Sequence, residues 1–425
     1  MKVLSLFLGA LFAPQSPDTP SPAVELVAAA SLEQRPDAAL LRRALSDRET
    51  ARGALEILLA GRVSPTPSLP SGRRLRADLR EILLDGLAEA TSWRFLIAEH
   101  LTLEPSDTTR AAVLALLARA GERSDLALLF ALAGTTERTT PRVVTAALRE
   151  TVAQMVRRHE QLAEEFRRRI EDLDPAAALA VVDGLGDSQT RLALAELAGL
   201  LQRRELRTSA LAALVRCAEA LPGPHDEDVR AAVRACLDDE PHVVAQAALA
   251  VEATEDYDAV PALIELLQSD VAAHSAARAL RSLSGVDFRS DAEAWSLWYG
   301  HASRRWEESR AWASHASFRA DDPELRRGLR LLASSRFQRH ARAELLLRAL
   351  REGSPELSVY ACRGLALLGS HAAVSDLIDL LDAADDDLRA ASYSALCNIT
   401  RADLPPERGE WLAHFFSDTD PWSDQ

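Results

Sequence analysis

The stretch "DAVPALIELL" at residues 258–267 has a close counterpart in "AAVSDLIDLL" at residues 372–381, an offset of 114 positions (372 minus 258). The same offset aligns "EPHVVAQAALAV" (240–251) with "SPELSVYACRGL" (354–365). All four segments carry apolar residues at helical spacing. A unit of this kind cannot bury its apolar face alone, so a repeated unit predicts an architecture in which neighbouring copies stack.

The repeat continues downstream at an offset of 116 (411 minus 295), because the second copy is two residues longer in between. "ALRSLSGVDFRSDAEAWSLWYG" (279–300) aligns with "ALCNITRADLPPERGEWLAHFF" (395–416), and Trp295 aligns with Trp411. Each Trp is followed four positions later by a second aromatic residue, which places the two rings on one helix face. We predict that these rings cover the open end of a helix stack.

The first copy has more aromatic residues than this packing requires. Ser290 and Glu293 form a capping-box pattern, which predicts that a helix begins there. Further along, the first copy adds Trp306, Trp312 and Phe318. Packing and a binding patch are the two interpretations of this excess. Trp306 and Trp312 are therefore two of the predicted partner-binding residues.

Helical periodicity extends through most of the chain. "RAAVLALLARAG" (110–121) has apolar residues at i, i+3, i+4 and i+7 and ends at a Gly. "TPRVVTAALRE" (140–150) echoes the start of the repeat 100 positions earlier (240 minus 140). Alternating strand patterns are scarce. We predict an all-α fold without a sheet, an α-solenoid (α-α superhelix) of antiparallel helix pairs.

A recurring motif links the repeat to a known family. "DEDVRAAVRACL" (226–237) and "DDDLRAASYSAL" (385–396) each have an Asp near the turn, an apolar residue, an Arg, and then small and apolar residues at helical spacing. The Asp and Arg positions are filled by Asp228, Arg230, Asp387 and Arg389. These segments resemble the second helix of HEAT-type repeats, in particular the phycobilisome-lyase-like HEAT subfamily, and the preceding "AVPALIELL" and "AVSDLIDLL" resemble the first helix.

The resemblance is good for 226–300 and 340–416, weaker for 100–220, and hardly extends to 23–60. It implies a right-handed stack of HEAT-like antiparallel helix pairs whose second helices line a concave face. The Trp-containing module ends also resemble the segments that come after HEAT repeats in many exported bacterial proteins of unassigned function. HEAT motifs are specific for the fold and carry little information on activity.

These patterns divide the chain into seven predicted segments. They are a signal peptide (1–13), a Pro-rich linker (14–22), N-terminal helices (23–60), a second Pro-rich linker (61–72), divergent helical repeats (73–220), a HEAT-like module with a Trp-rich end (226–318) and a second HEAT-like module with a Trp end (319–420).

The first residues, "MKVLSLFLGALFAPQS", combine one Lys with an apolar run from Val3 to Ala13. That run has the length of a signal-peptide core and is too short to cross a bilayer. The Pro-rich stretch after it disfavours the alternative of a buried first helix. We therefore expect export to the periplasm or cell envelope through a cleavable signal peptide.

The charge balance disfavours two classes of partner. The chain has 49 basic and 64 acidic residues, a net charge of −15. Phosphate backbones and anionic lipid surfaces repel such a chain, so we expect neither nucleic acid nor a membrane surface as partner. No apolar run after the leader is long enough for a membrane span.

Sequence motifs for catalysis, metal or cofactor binding are missing. There is no Gly-rich phosphate loop, no nucleophile elbow and no paired-His metal site. The acidic runs 238–240 and 385–387 suit helix caps better than a divalent cation. The four cysteines are predicted to be buried core thiols, with a disulfide as the alternative after export; they are Cys217, Cys236, Cys362 and Cys397.

Two functions are compatible with this sequence. The favoured one is a non-catalytic scaffold that binds a protein or peptide on its concave face, with no cofactor and no small-molecule substrate. The alternative is an enzyme or enzyme-assembly factor, by analogy with the bilin lyases that the resemblance brings in.

Four side chains on the predicted second helices are candidates for partner contact or for internal bracing. Arg234 and Tyr393 are predicted to contact the partner, because Arg and Tyr are favoured anchors at interfaces. Arg230 and Arg389 are predicted to brace neighbouring turns, each through the Asp two residues before it.

Overall fold

The computed structural model of the chain describes residues 27, 30, 37–63, 73–90, 93–101, 105–134, 139–221, 224–315 and 323–416. The predicted signal peptide, the linker 14–22, most of the linker 61–72, and Phe318 lie outside these residues. The chain divides into two compact units, Met1–Cys217 and Ala218–Gln425.

The described part of the first unit consists of helices, short turns and one minimal strand pair. Its helices are α1 (Ala38–Ala44), α2 (Arg48–Ala60), α3 (Ala77–Glu89), α4 (Trp93–His100), α5 (Asp107–Ala120), α6 (Leu126–Ala133), α7 (Arg142–Arg158), α8 (Leu162–Arg169), α9 (Pro175–Ser188), α10 (Arg191–Leu200) and α11 (Arg207–Ala220), the last residues of which belong to the second unit.

The helices of the first unit form two rows. One row is α3, α5, α7 and α9, each packed on the next, and α6, α8 and α10 each pack against a helix of that row. In the middle of the row, α7 buries Val144, Leu148 and Val152 completely. Their spacing of four residues places them on one helix face, as the periodicity of the sequence predicts.

The second unit continues the same construction. Its described helices are α12 (Glu227–Arg234), α13 (Pro241–Thr254), α14 (Val260–Leu266), α15 (Ala273–Ser284), α16 (Ala292–His315), α17 (Pro323–Ala333), α18 (Arg339–Glu352), α19 (Pro355–Leu368), α20 (Val374–Asp379), α21 (Asp386–Thr400) and α22 (Arg408–Phe416). In its first copy α12 packs on α13, α14 packs on α15, and α13 packs on α15; α18 to α21 repeat this pattern in the second copy.

Helix bounds in the two copies follow the offsets read from the sequence. The bounds of α13 and α19 differ by 114 at both ends, and those of the short 3-10 turns at Tyr257–Ala259 and His371–Ala373 do too. The starts of α16 and α22 differ by 116. Even the left-handed residues that end α15 and α21 correspond, Gly285 (φ 76) and Arg401 (φ 62). The predicted fold class, an all-α α-solenoid of HEAT-like helix pairs, is confirmed.

Two details of the prediction were wrong. Arg62–Val63 pairs with Arg73–Arg74 as a two-residue antiparallel ladder, although no sheet was expected. The segment 226–237 was assigned to a second helix, but α12 precedes α13 in its pair as α18 precedes α19, so it is a first helix. An Asp followed by an Arg and small residues suits the start of either helix, because it caps and solvates a helix end in both positions.

The repeated Trp residues have the same buried environment. Trp295 and Trp411 are both 0% exposed. The indole N–H of Trp295 donates to the carbonyl of Arg289 at 3.0 Å, and that of Trp411 donates to the carbonyl of Pro405 at 2.8 Å, in each case six residues earlier. The bond satisfies the one polar atom of a buried ring and ties the start of the helix to the loop before it.

The capping residue of α16 differs from the prediction. Asp291 Oδ1 accepts a hydrogen bond from the backbone N–H of Ala294 at 3.0 Å, so Asp291 caps the helix and Ser290 does not. Asp and Ser are equally good capping residues, and the sequence "RSDAEAW" places them side by side. A pattern search therefore cannot decide between them.

Several aromatic rings of the second unit pack around Phe337. Phe337, in the turn before α18, is 3% exposed. The rings of Tyr257, Trp298 and Tyr299 meet it edge-on at centroid distances of 5.4, 5.8 and 5.9 Å. These contacts join the first copy of the module to the second, and so favour the packing interpretation.

We expect Trp411→Ala to lower the free energy of unfolding by about 3–5 kcal/mol, because it removes a fully buried ring. Phe415→Ala is the matched control: its ring stacks on Trp411 from the same helix but is 38% exposed. It should cost less than half as much. Urea unfolding followed by far-ultraviolet circular dichroism measures both, and equal small losses would contradict the end-cover interpretation.

We expect Arg401→Gly to raise the free energy of unfolding by about 0.5–1 kcal/mol, because a left-handed backbone strains every residue except Gly. Its counterpart already is a Gly, and the reverse change, Gly285→Arg, should be destabilising. The same urea titration checks both variants; a loss of stability in Arg401→Gly would show that the Arg side chain matters more than the backbone strain.

Candidate functional site

A groove lies between the second helices α19 and α21 of the second unit. Its volume is about 510 Å³. The groove is formed by Arg363, Ala366, Leu367, Asp387, Ala390, Ala391, Ser394, Ala395 and Asn398. It is therefore a surface feature of second helices, the class of helix from which partner contacts were predicted.

Small side chains keep this groove open. Ala366 on α19 and Ala390 and Ser394 on α21 leave space between the two helices, and Ala395 is buried beneath them. Leu367 lies beside this floor and is 73% exposed. An apolar side chain this exposed next to a concave surface is favourable for a partner that covers it.

The equivalent position in the first copy carries an ion pair, and a cavity of about 550 Å³ is formed there in part by Glu252, Ala253 and Ser282, the counterparts of Ala366, Leu367 and Asn398. Ala366 corresponds to Glu252 (366 minus 114), and Ser394 corresponds to Arg278 (394 minus 116). Arg278 Nε lies 2.9 Å from Glu252 Oε2, which links α13 to α15 across their junction. The two copies thus share a backbone arrangement and differ in the side chains between the second helices, which are an ion pair in the first copy and the neutral Ala366 and Ser394 in the second.

Polar groups border the open groove. Arg363 and Asp387 are exposed on either helix, and the side-chain amide of Asn398 donates to the carbonyl of Ser394 at 2.9 Å. Just before α21 begins, Asp385 Oδ1 accepts from the backbone N–H of Leu388 at 2.8 Å, so this acidic run is a helix cap, as expected. The groove offers one cation, one anion and an apolar floor.

Tyr393 lies on α21 outside the groove. Its ring meets Trp411 edge-on at 6.4 Å, on the side of α22. A hydrogen bond with Cys397 raises the pKa of the Tyr393 hydroxyl. The structure therefore places Tyr393 next to the Trp end, on a different face of α21 from the side chains that form the groove.

Arg234 is committed to internal ion pairs on a first helix. Its Nη1 lies 2.7 Å from both carboxylate oxygens of Asp256, and it also pairs with Glu227. Asp256 is 0% exposed, and burial raises its pKa, an effect that Arg234 opposes. Arg234 therefore braces the buried Asp256, and the partner contact predicted for it stays a prediction.

The bracing predicted for Arg230 and Arg389 exists with different partners. Arg230 Nη2 lies 2.7 Å from Glu227 Oε2, and not at Asp228. Arg389 pairs with Asp386 and donates to the carbonyl of Ala383 at 2.6 Å. On a helix an Arg side chain faces the residue three positions earlier, whereas the prediction paired each Arg with the Asp two positions earlier.

The two predicted Trp residues lie on α16. Trp306 is 8% exposed, and the guanidinium of Arg342 lies over its ring at 5.1 Å. Trp312 is half-buried, with its ring against Gly328 of α17. The four predicted contact residues therefore lie on α12, α16 and α21, and none of them lines the groove.

The signal that could have identified the groove is the difference between the copies. In "ASYSAL" (391–396) the residue at 394 is a Ser, while the first copy has an Arg there, and the Glu that would pair with it has become an Ala. Each change alone looks neutral. Only the knowledge that the two positions face each other across α19 and α21 reveals that a bridge has been removed.

Three of the four cysteines are buried thiols, as predicted. Burial raises the pKa of Cys217 and of Cys362 to about 12, so both stay protonated at neutral pH. Cys236 is also buried, and Cys397 is half-buried. Within the described ranges, no three His, Cys, Asp or Glu side chains are arranged to hold a metal ion, and no helix is both long and apolar enough to cross a membrane.

No protein-family model matches the sequence, and no curated protein matches it. Among solved structures, the chain resembles Kap121p bound to Pho4p, with 11% identity and a TM-score of 0.37 over 89% of this chain and 49% of that one. It also resembles Kap121p alone, with 14% identity and a TM-score of 0.31 over 99% of this chain and 50% of the other. The chain spans about half the length of these proteins.

We expect Arg234→Met to lower the free energy of unfolding by about 2–4 kcal/mol, because it leaves the buried Asp256 without its cation. The double variant Arg234→Met, Asp256→Asn should recover part of this loss, since the uncompensated charge is then gone. Thermal unfolding monitored by circular dichroism measures both. An unchanged melting temperature in Arg234→Met would support the contact function predicted from the sequence.

Proposed function

We propose that this protein is a non-catalytic HEAT-like scaffold and that it binds a protein or peptide in the groove between α19 and α21. The observation that carries the proposal is the contrast between the copies: the Glu252–Arg278 bridge is replaced by Ala366 and Ser394. Because both members of the bridge are replaced by neutral side chains, the groove between α19 and α21 has a small, neutral floor without an unpaired charge.

The chemistry of the groove favours a partner segment with one apolar side chain and polar flanks. An apolar residue seated on the Ala floor beside Leu367 would remove both from water. Arg363 and Asp387 on the border would pair with groups of opposite charge and set the direction of the segment. A volume of about 510 Å³ accommodates a few side chains, which suits a peptide segment more than a small cofactor.

Two finer assignments also remain proposals. We propose export through a cleavable signal peptide at 1–13, supported by the apolar run after Lys2. Membership in the phycobilisome-lyase-like subfamily rests on the Asp and Arg motif of 385–396. The alternative function, an enzyme or enzyme-assembly factor, rests on the same resemblance and on no geometric observation. Cell fractionation followed by N-terminal sequencing of the native protein tests this proposal: an intracellular chain that still starts at Met1 would overturn it.

We expect the variant Ala366→Glu, Ser394→Arg to abolish partner binding, because it installs the bridge of the first copy in the groove of the second. Peptides are selected from a random library on the wild-type protein, and their affinities are then measured for both proteins by fluorescence polarisation. Selected peptides should bind the closed variant at least about tenfold more weakly, which corresponds to about 1.4 kcal/mol.

Two controls make this experiment specific. Ala127→Glu, Ala131→Arg adds the same two charges to exposed positions of α6 and should leave affinity unchanged. Glu252→Ala, Arg278→Ser removes the ion pair of the first copy, away from the groove, and should also leave affinity unchanged. If the selected peptides bind the closed variant as tightly as the wild type, the groove is not the binding site.

A further inference from the structure

A second cleft, separate from the α19/α21 groove, lies where the first copy meets the second. Its volume is about 420 Å³. It is bounded by the end of α15, by one side of α16, by the end of α17 and by the turn that precedes α18. The side chains that matter for its chemistry are those of His301, Arg305, Ser309, Ser335, Arg336 and Arg342.

The cleft is positively charged in an acidic protein. Three arginines line it, Arg305, Arg336 and Arg342, whereas no Asp or Glu is among the described residues that form its wall. Within the same described residues, Arg305 and Arg336 take part in no ion pair. In a chain with a net charge of −15, such a local excess of cations is unusual.

Arg342 is the buried member of the set. Its residue is 2% exposed. Nε donates to the carbonyl of Phe337 at 2.6 Å, and Nη1 donates to the carbonyls of Leu331 and Leu332, each at 3.3 Å. The last two carbonyls belong to the C-terminal turn of α17, whose partial negative charge compensates only part of a full positive charge.

A buried guanidinium without a carboxylate is costly, and a second cation raises that cost. The pKa of Arg342 is lowered to about 10, mainly by burial and next by the positive charge of Arg305. Both causes describe a site where an added anion would be favourable. The direction agrees with the geometry, in which Arg305 and Arg342 line the same cleft.

We propose that this cleft binds the phosphate group of a small phosphate ester. Arg305 and Arg336 supply forked donors at the entrance, Arg342 supplies buried positive charge, and the hydroxyls of Ser309 and Ser335 are within the same wall. The rest of the wall includes Val286, Trp298 and Leu331. The cleft is far larger than one phosphate ion and partly apolar, so the organic part of the ester has a place as well.

Isothermal titration calorimetry with inorganic phosphate and with phenyl phosphate, at fixed pH and constant ionic strength, tests this site. The double variant Arg305→Gln, Arg336→Gln removes two exposed cations and leaves the buried Arg342 in place, so the fold should survive; circular dichroism checks this. We expect binding of both ligands to the wild type, with phenyl phosphate the tighter, and at least about a tenfold loss in the double variant.

The control is Arg43→Gln, Arg304→Gln, which removes the same charge from two exposed positions that do not line the cleft. It should bind as the wild type does. Equal losses in both double variants would show non-specific charge attraction and overturn the site. Equal affinities for phosphate and phenyl phosphate would overturn the assignment of an ester. If chloride displaces both ligands when the ionic strength is held constant, the cleft has no preference for phosphate over other anions.

Discussion

The constraint on which this structure depends is that no helix pair in it can bury its apolar stripe alone. A helix such as α13 or α19 is covered on one side by its own first helix and on another by the next second helix. Each pair therefore needs a neighbour, and wherever the sequence of neighbours ends, something must replace the missing one. Trp295 and Trp411 are that replacement: each ring is completely buried, and its single N–H is satisfied by a backbone carbonyl.

Features with a local cause were readable from the sequence. Apolar residues at every third or fourth position predict helices, because these positions form one buried face. The offsets of 114 and 116 predict matching helix bounds in the two copies, because similar sequences fold in the same way. The left-handed end of α21 at Arg401 is the instructive case. No residue preference identifies an Arg there, but its alignment with Gly285 does. The alignment of two copies can therefore predict a backbone conformation that the residue type alone does not.

Features that depend on two distant positions were not readable. The pairing of Arg234 with Asp256 could not be predicted, because Asp256 lies 22 residues away in the sequence. The groove likewise depends on Ala366 and Ser394 together, which face each other only once α19 and α21 are packed. Trp306 was assigned to partner binding as part of the aromatic excess of the first copy, while in the structure the guanidinium of Arg342, on α18, lies over its ring. In each case the missing information was which helices are neighbours.

The two modules show how an identical scaffold acquires different surfaces. Their terminal helices begin at corresponding positions, and α16 runs for 24 residues. The second half of α16 carries Arg305, Trp306 and Trp312, so the helix that closes the first copy also packs on α17 at the start of the second. The space where α16 packs on α17 cannot be filled by the side chains of the repeated helix pairs, because those side chains pack against the helices of their own copy. Aromatic rings fill most of the space, and the remainder is the arginine-lined cleft. The excess of aromatic residues in the first copy and the cation-rich cavity beside them therefore have one structural origin.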